Sequence, residues 1–256
     1  MSLRIAIVTQ DDPFYMPLFF REFLPRLEPT ITVERITILD LLDESLPAFA
    51  KRMLDFYGPI NFARRSVAFA SRKIAERLGT GTYSVSSVAK AHGIRVEERH
   101  DINSDGYINW IEDADIDVLL SVSASQIFDE RLLDAPNQYC LNVHTAELPK
   151  YRGMLPTFWA LYHGESEIGT TVHTMVPEID KGRVVKQRTF PVTSETTLDE
   201  AIRKGKREGG QLTAEAINGI AAGTESLTEM TGEGSYHSFP TKSDREEFQR
   251  RGNRLI

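Results

Sequence analysis

The hydrophobic pattern of the chain opens with short apolar runs that are separated by a longer amphipathic stretch. Leu3 to Val8 is an unbroken apolar run, typical of a central parallel strand. Residues 14–27 carry Phe, Leu and Met at helical spacing, and Ile31 to Leu39 alternates as a second strand. This order of strand, loop, helix and strand predicts an α/β protein with a doubly wound, mostly parallel sheet.

The pattern continues in the same way to the end of the chain. Residues 40–78 are helix-like, with an interruption at Gly58-Pro59, and predict a helical insertion at about 41–80. The further predictions are helices at 84–91, 129–133, 198–222 and 243–251, and strands at 93–97, 117–122 and 183–192. We therefore expect one domain over residues 1–225 and a short C-terminal extension over residues 226–256.

The chemically richest stretch is residues 139–182. An apolar run from Tyr139 places Asn142 and His144 at a strand end, where residues two apart share a face. A loop at 147–153, a helix at 156–164 and a strand at 169–175 lead to a turn that contains Asp180. An amide, histidines and a carboxylate therefore lie at strand ends, where α/β sheets hold ligands.

Composition narrows the function classes. The chain has 256 residues and a formal net charge of −7, which argues mildly against a phosphate-rich macromolecular partner. The basic cluster Arg64, Arg65, Arg72, Lys73 and Arg77 is predicted to be a solvated helix face. The single cysteine, Cys140, is expected in the core and suits a reducing compartment. No apolar run approaches the roughly 20 residues of a membrane span, and no signal-peptide pattern is present, so we expect a cytoplasmic protein without a membrane partner.

Two motifs in the 139–182 stretch carry a family resemblance. Residues 142–153, NVHTAELPKYRG, resemble the Asn-x-His and Leu-Pro-x-x-x-Gly signature of formyltransferases that use 10-formyltetrahydrofolate, and Asp180-Lys-Gly182 resembles their Asp-x-Gly turn. The likeness extends more weakly over about residues 3–225. It implies the Rossmann-like formyltransferase fold, 10-formyltetrahydrofolate as formyl donor, and Asn142, His144 and Asp180 as catalytic residues. The layout is most similar to the compact sugar N-formyltransferases.

The resemblance also implies binding residues. Gln126, Ile127 and Phe128 match the segment whose backbone holds the pterin ring, and Val176, Pro177 and Ile179 are expected to complete the folate site. His173 matches a second histidine that braces the site. On the acceptor side we expect Gln10, Asp11, Tyr151, Arg152 and His173, with Asp12 beside them to receive an ammonium or sugar hydroxyls. No metal is expected, although His144, His173 and Asp180 are of metal-ligating type.

Two departures from the family pattern bear on the acceptor. The loop at residues 9–13 lacks the glycine-rich phosphate loop of glycinamide ribonucleotide formyltransferases. A chain of this length also leaves no room for the C-terminal β-barrel of methionyl-tRNA formyltransferases. We therefore expect a small-molecule amine acceptor, with an amino-sugar nucleotide leading, and no tRNA or other nucleic acid. A homodimer is left open.

The sequence is also compatible with other functions. A formyltetrahydrofolate hydrolase would use the same three residues with water as acceptor, and a glycinamide ribonucleotide-type enzyme is a further candidate. Taken without the resemblance, a strand-end Asn-x-His is more often a loop cap or a core hydrogen bond. Residues 101–112 also fit the EF-hand pattern, which would suit a non-catalytic calcium- or ligand-binding protein. A strand-like segment precedes them, so a helix start capped by Asn103 or Ser104 is the favoured interpretation.

Overall fold

The computed structural model describes residues 2–39 and 45–256. The strands of this part of the chain are β1 (Leu3–Gln10), β2 (Ile31–Leu39), β3 (Val96–Arg99), β4 (Val118–Val122), β5 (Tyr139–His144), β6 (Arg152–Gly153), β7 (Glu167–Thr174), β8 (Val184–Pro191) and β9 (Tyr236–His237). The helices are α1 (Met16–Phe23), α2 (Leu46–Arg77), α3 (Val85–Ala91), α4 (Asp105–Asp113), α5 (Glu130–Asp134), α6 (Pro156–Tyr162), α7 (Leu198–Ala222) and α8 (Lys242–Arg250). None of the helices described is long and apolar enough to cross a bilayer.

The main sheet has the strand order β3-β2-β1-β4-β5-β7-β8 within the described residues. The pairings from β3 to β5 are parallel, whereas β7 pairs antiparallel with both β5 and β8. This confirms the predicted mostly parallel, doubly wound sheet. From β1 the chain proceeds to β2 and β3 on one side of the sheet, and from β4 it proceeds to β5 on the other side. Doubly wound sheets bind ligands in the crevice at the carboxyl ends of the two strands where this change occurs, here β1 and β4.

The sheet is covered on both faces, which explains the unbroken apolar runs of its central strands. Along β1, Ile5 and Ile7 contribute to one core with α1 and α7, and Ala6 and Val8 to another core with α4. Successive residues of a strand point to opposite faces, so a strand buried on both sides carries no polar alternation.

The C-terminal extension packs closely on the domain that precedes it. Phe248 of α8 is fully buried and stacks on Phe158 of α6, with ring centroids 4.6 Å apart. Farther upstream, β9 pairs with β6 in a parallel two-stranded sheet. The predicted terminal helix is therefore present, and the extension supports the segment between Gly153 and α6.

The helical insertion lies partly outside the described residues, because residues 41–44 of its expected range are not among them. Its described part, α2, is bent at Gly58, whose φ of 72° and ψ of 164° are not helical. A positive φ is accessible to glycine at little cost. Pro59 has no backbone N–H, so it cannot donate the helical hydrogen bond to the carbonyl four residues earlier. The interruption predicted at Gly58-Pro59 is therefore the kink observed.

The prediction of a solvated basic face on α2 was wrong for most of its members. Arg64 and Arg77 are exposed. The other three side chains reach the loop after β1 or the start of α7: Arg65 contacts Asp199 (2.5 Å) and the Tyr15 hydroxyl, Arg72 donates to the Pro13 carbonyl (2.8 Å), and Lys73 pairs with Asp11 (3.5 Å). The surroundings of Arg65, Arg72 and Lys73 depend on which loops pack against α2, and the spacing of charges along a helix does not predict that packing.

We expect Arg65→Met to lower the free energy of unfolding by about 1–2 kcal/mol, because it removes the half-buried cation that joins α2 to Asp199 and the Tyr15 hydroxyl, while Asp199 keeps Arg203 as its other partner. Urea unfolding followed by circular dichroism measures the change. The matched control is Arg64→Met on the neighbouring exposed residue, which should stay within about 0.5 kcal/mol of the parent. Equal losses in the two variants would contradict the role of Arg65 as an anchor of α2.

Candidate active site

The carboxyl end of β5 places Asn142 and His144 on one face of the sheet. The register with antiparallel β7 sets Asn142 opposite His173. His144 and His173 are buried, and Asn142 is half-buried. Because the side chains of this strand alternate between the faces, the Asn-x-His spacing brings the amide and the imidazole together.

Asp180 reaches this group from the turn that follows β7. Its backbone has a φ of 53°, in the left-handed region that few non-glycine residues adopt. The turn packs tightly on the end of β7, because a Cβ at Gly182 would overlap the carbonyl oxygen of Thr174. The Gly153 backbone N–H donates to Asp180 Oδ2 at 2.9 Å, which fixes the carboxylate from the opposite side.

These elements bring the three predicted catalytic side chains together. Asn142 Nδ2 lies 3.3 Å from Asp180 Oδ1 and 3.3 Å from His173 Nε2. His144 Nδ1 is 3.6 Å from Asp180 Oδ2, and His173 Nε2 is 3.5 Å from Asp180 Oδ1. His173 is therefore buried in contact with both the Asn142 amide and the Asp180 carboxylate, as expected of a bracing residue.

The hydrogen bonds of His144 favour one neutral form of its ring. Nε2 lies 2.8 Å from the Tyr151 carbonyl oxygen and must donate to it, because a carbonyl only accepts. Burial lowers the pKa of His144, and this effect exceeds the opposing influence of Asp180. At neutral pH the ring is therefore uncharged, with an unprotonated Nδ1 on the side of Asp180.

The carboxylate of Asp180 stays ionised despite its burial. Burial alone would raise its pKa, but the neighbouring imidazoles of His173 and His144 and the Gly153 N–H together lower the pKa to about 2. The site thus holds an amide donor, a neutral imidazole with a free nitrogen, and a carboxylate. Such a set can stabilise an oxyanion and move a proton between two nitrogens.

The segment predicted to hold a pterin ring is ordered by side-chain contacts. Gln126 accepts from the Ile102 N–H (3.2 Å) and donates to the His100 carbonyl, and Asn103 donates to the Ile127 carbonyl (3.0 Å). Phe128 is buried in the core beside α4, so its side chain packs away from the crevice. The side chain of Ile127 is exposed.

The other predicted folate residues flank Asp180 in the chain. Val176, Pro177 and Ile179 are all exposed, and Met154, which follows Gly153, is exposed as well. Exposed apolar side chains next to buried polar groups suit a flat heterocycle with a polar edge. The folate-binding role of these residues remains a prediction.

The residues predicted on the acceptor side have different placements. Gln10 ends β1 and is half-buried at the crevice. Both oxygens of Asp11 are engaged, one with the Val85 N–H (2.9 Å) and one with Lys73. Asp12, the next residue, accepts from the Phe14 N–H at 2.6 Å and has no cation within 4.0 Å among the described residues. Asp12 is therefore better placed than Asp11 to meet a ligand.

Tyr151 contributes its backbone rather than its ring. The ring is buried, its hydroxyl donates to Glu165 at 2.8 Å, and it stacks on His237. Tyr151, which was predicted on the acceptor side, thus has its ring committed to Glu165 and His237, and it orients His144 through its carbonyl. Arg152 lies in β6 and pairs with Tyr236 of β9, so its backbone is committed to the small sheet.

Lys206 is a charged residue at the crevice that the sequence reasoning missed. It lies on α7, and its Nζ donates to Ser123 Oγ at 2.6 Å, just after β4. Burial lowers its pKa to about 8. The sequence could have indicated that Lys206 faces the sheet, because it adjoins the buried face of α7. That face is formed by small and apolar residues that include Ala201, Gly205, Gly209 and Leu212.

The EF-hand-like segment takes the helix-start arrangement. Ser104 occupies the N-cap position of α4, Asn103 bonds with Ile127 and Asp129, and Asp105 pairs with Arg131. In residues 2–39 and 45–256, no three His, Cys, Asp or Glu side chains come together as a metal-binding group. The segment instead ties α4 to the loop after β4.

We expect Gly182→Ala to lower the free energy of unfolding by about 1–3 kcal/mol, because the added methyl group must push the turn away from Thr174. Thermal and urea unfolding measure the loss. The control is Gly219→Ala inside α7, where a Cβ has only ordinary contacts, the nearest at 3.7 Å, and alanine favours the helix. A Gly182→Ala protein as stable as its control would show that the turn is not tightly packed.

Solved structures of similar shape support the fold assignment. A sugar N-formyltransferase from Shewanella sp. FDAARGOS_354 is similar over 98% of this chain and 88% of that chain, with a TM-score of 0.63 and 14% identity. An N-formyltransferase from Helicobacter canadensis, solved with folinic acid and dTDP-3-aminofucose, matches over 92% and 71%, with a TM-score of 0.58 and 16% identity. The glycinamide ribonucleotide transformylase 1 from Symbiobacterium toebii matches over 90% and 95%, with a TM-score of 0.61 and 16% identity. These similarities confirm the Rossmann-like formyltransferase fold.

Sequence comparisons give the family. A methionyl-tRNA formyltransferase of Agathobacter rectalis is 30% identical over 154 residues, 60% of this chain and 50% of that protein. One of Trichormus variabilis is 33% identical over 134 residues, 52% of this chain and 40% of that protein. The chain thus spans about half the length of the curated relatives it matches. Residues 71–217, more than half of the chain, match the family model described as formyl transferase. The chain belongs to the formyl transferase family.

Proposed function

We propose that the protein transfers a formyl group from 10-formyltetrahydrofolate to a primary amine of a small molecule, with an amino-sugar nucleotide as the leading acceptor. The observation that carries this proposal is the convergence of Asn142, His144 and Asp180, whose polar atoms lie 3.3 to 3.6 Å apart at the end of β5. The site chemistry matches the needs of acyl transfer between two nitrogens.

In the proposed reaction the acceptor nitrogen attacks the formyl carbon, and a tetrahedral oxyanion forms. Asn142 donates an N–H to that oxyanion by turning from His173 or Asp180. His144 accepts the proton of the attacking amine at Nδ1, the ionised Asp180 carboxylate stabilises the imidazolium that forms, and a water carries the proton onward. The proton ends on the departing N10 nitrogen as its bond to the formyl carbon breaks, so tetrahydrofolate leaves uncharged at that nitrogen.

The choice of acceptor rests on several considerations. The Helicobacter canadensis enzyme, solved with folinic acid and an amino-sugar nucleotide, supports both the folate donor and the sugar acceptor. The two carboxylates at Asp11 and Asp12, in the loop after β1, oppose a phosphate there and so disfavour glycinamide ribonucleotide. The curated relatives favour methionyl-tRNA as a second candidate. The net charge of −7 opposes that candidate.

We expect Asn142→Ala, His144→Ala and Asp180→Ala each to reduce formyl transfer at least about 100-fold, because each removes a group that acts on the oxyanion or the transferred proton. The assay is release of tetrahydrofolate from 10-formyltetrahydrofolate. Its panel holds nucleotide-linked 3-amino and 4-amino sugars, glycinamide ribonucleotide and methionyl-tRNA. His163→Ala, at an exposed histidine on the far side of Tyr151, is the matched control.

The panel also separates the candidate functions. Faster release of tetrahydrofolate in the presence of an amino-sugar nucleotide would support the leading proposal. Faster release with glycinamide ribonucleotide or methionyl-tRNA would identify that compound as the acceptor instead. Turnover that needs no amine would identify a hydrolase. Unchanged transfer in all three site variants would refute the mechanism.

The pH dependence follows from the buried imidazole. His144 must be uncharged to accept a proton, and burial lowers its pKa from the ordinary 6.5, so the fall in kcat/KM that is due to His144 should lie below pH 6.5, apart from any fall due to protonation of the acceptor amine. Asp180 raises the pKa of His144, so Asp180→Asn should shift this acid limb to still lower pH in the residual activity. The measurement is kcat/KM as a function of pH for the parent protein and for Asp180→Asn. A fall in kcat/KM that occurs at higher pH in Asp180→Asn than in the parent would contradict the predicted direction.

A further inference from the structure

Two opposite charges lie on either side of the point where the strand order reverses. Asp12 is in the loop after β1, and Lys206 reaches from α7 to Ser123 at the end of β4. Ser123 has a φ of 54°, a left-handed conformation that costs energy for a non-glycine residue and occurs often at binding sites. The pair therefore occupies the ligand position expected of a doubly wound sheet.

Both charges have few partners in the part of the chain that the structure describes. Asp12 accepts from backbone N–H groups, with Phe14 at 2.6 Å, and Lys206 donates to Ser123 at 2.6 Å. Neither makes an ion pair within 4.0 Å with any of the described residues, nor with the other. A lysine ammonium carries three N–H donors, so two are left for a further acceptor.

The surroundings of the pair are those of a crevice. Both side chains keep partial contact with solvent. Burial nevertheless raises the pKa of Asp12 and lowers that of Lys206 to about 8. Charges that are desolvated and unpaired are costly, and a ligand that satisfies both would recover part of that cost.

The same pair adjoins the catalytic group. Gly205, the residue before Lys206, packs so closely on Thr145 that a Cβ there would lie 2.5 Å from its Cγ2. Thr145 directly follows His144 in the chain, and the positive charge of Lys206 contributes to lowering the pKa of His144. A ligand group held by Asp12 and Lys206 would therefore sit beside an acceptor nitrogen directed at the formyl carbon.

We propose that Asp12 and Lys206 form a subsite for a hydroxyl group on a carbon next to the acceptor amine. A hydroxyl can donate to the carboxylate and accept from the ammonium at once. An anion there is repelled by Asp12, and a cation is repelled by Lys206. The inference rests on the proposed function and gives the acceptor as an amino alcohol, the arrangement found in an amino-sugar ring.

The experiment measures binding rather than turnover, so that its outcome is separate from that of the formyl-transfer assay. The full chain is saturated with 5-formyltetrahydrofolate, and the dissociation constants of trans-2-aminocyclohexanol and cyclohexylamine are measured by ligand-observed NMR titration. These probes differ by one hydroxyl. We expect the amino alcohol to bind about tenfold more tightly, the size of one charge-assisted hydrogen bond.

Lys206→Met and Asp12→Asn should each bring the ratio of the two dissociation constants close to one. Ser123→Ala should reduce it, because Lys206 loses its anchor. Lys204→Met, which removes a neighbouring lysine of α7 that bonds to the Pro191 carbonyl, should keep the parent ratio. A ratio near one in the parent protein, absent binding of both probes, or an unchanged ratio in Lys206→Met and Asp12→Asn would each overturn the subsite. Tighter binding of glycine than of the amino alcohol would replace it with a site for zwitterions.

Discussion

A buried, ionised carboxylate is the constraint on which the candidate active site depends. Asp180 remains charged in a place that by itself favours the protonated form, so each of its oxygens needs donors. Gly153 supplies a backbone N–H to one oxygen, and Asn142 supplies its amide to the other. The positions of the loop before α6, of β5 and of the turn after β7 are thus coupled through one side chain.

This coupling extends to the C-terminal extension. Gly153 belongs to β6, whose partner is β9, and the Tyr151 carbonyl that orients His144 stands next to the same strand. The Tyr151 ring packs on His237, so residues more than 80 positions apart hold one loop in shape. The C-terminal extension therefore contributes to the support of His144 and Asp180.

The sequence predicted the fold well where burial decides the pattern. The strands β1 and β5 were predicted from short apolar runs, because central parallel strands bury both faces, and β2 was predicted from its alternating pattern. The Asn142, His144 and Asp180 grouping came from a motif whose spacing reflects the strand register. Side-chain direction in α2 was mispredicted, because whether Arg65 and Lys73 face solvent depends on the loop that packs beneath them. Lys206 was missed since its neighbours at the crevice, Asp12 and Ser123, are 194 and 83 residues away in the chain.

The bend at Gly58 divides α2 into two rods with different attachments. The rod that follows Gly58 is fastened to the loop after β1 through Arg65, Arg72 and Lys73, whereas Asn142, His144 and Asp180 belong to β5 and the turn after β7. The loop after β1 and the group of Asn142, His144 and Asp180 are therefore held in place by separate stretches of chain. Under the proposed function, changes in the length or sequence of the insertion would alter the acceptor side of the crevice and leave the three proposed catalytic residues in place.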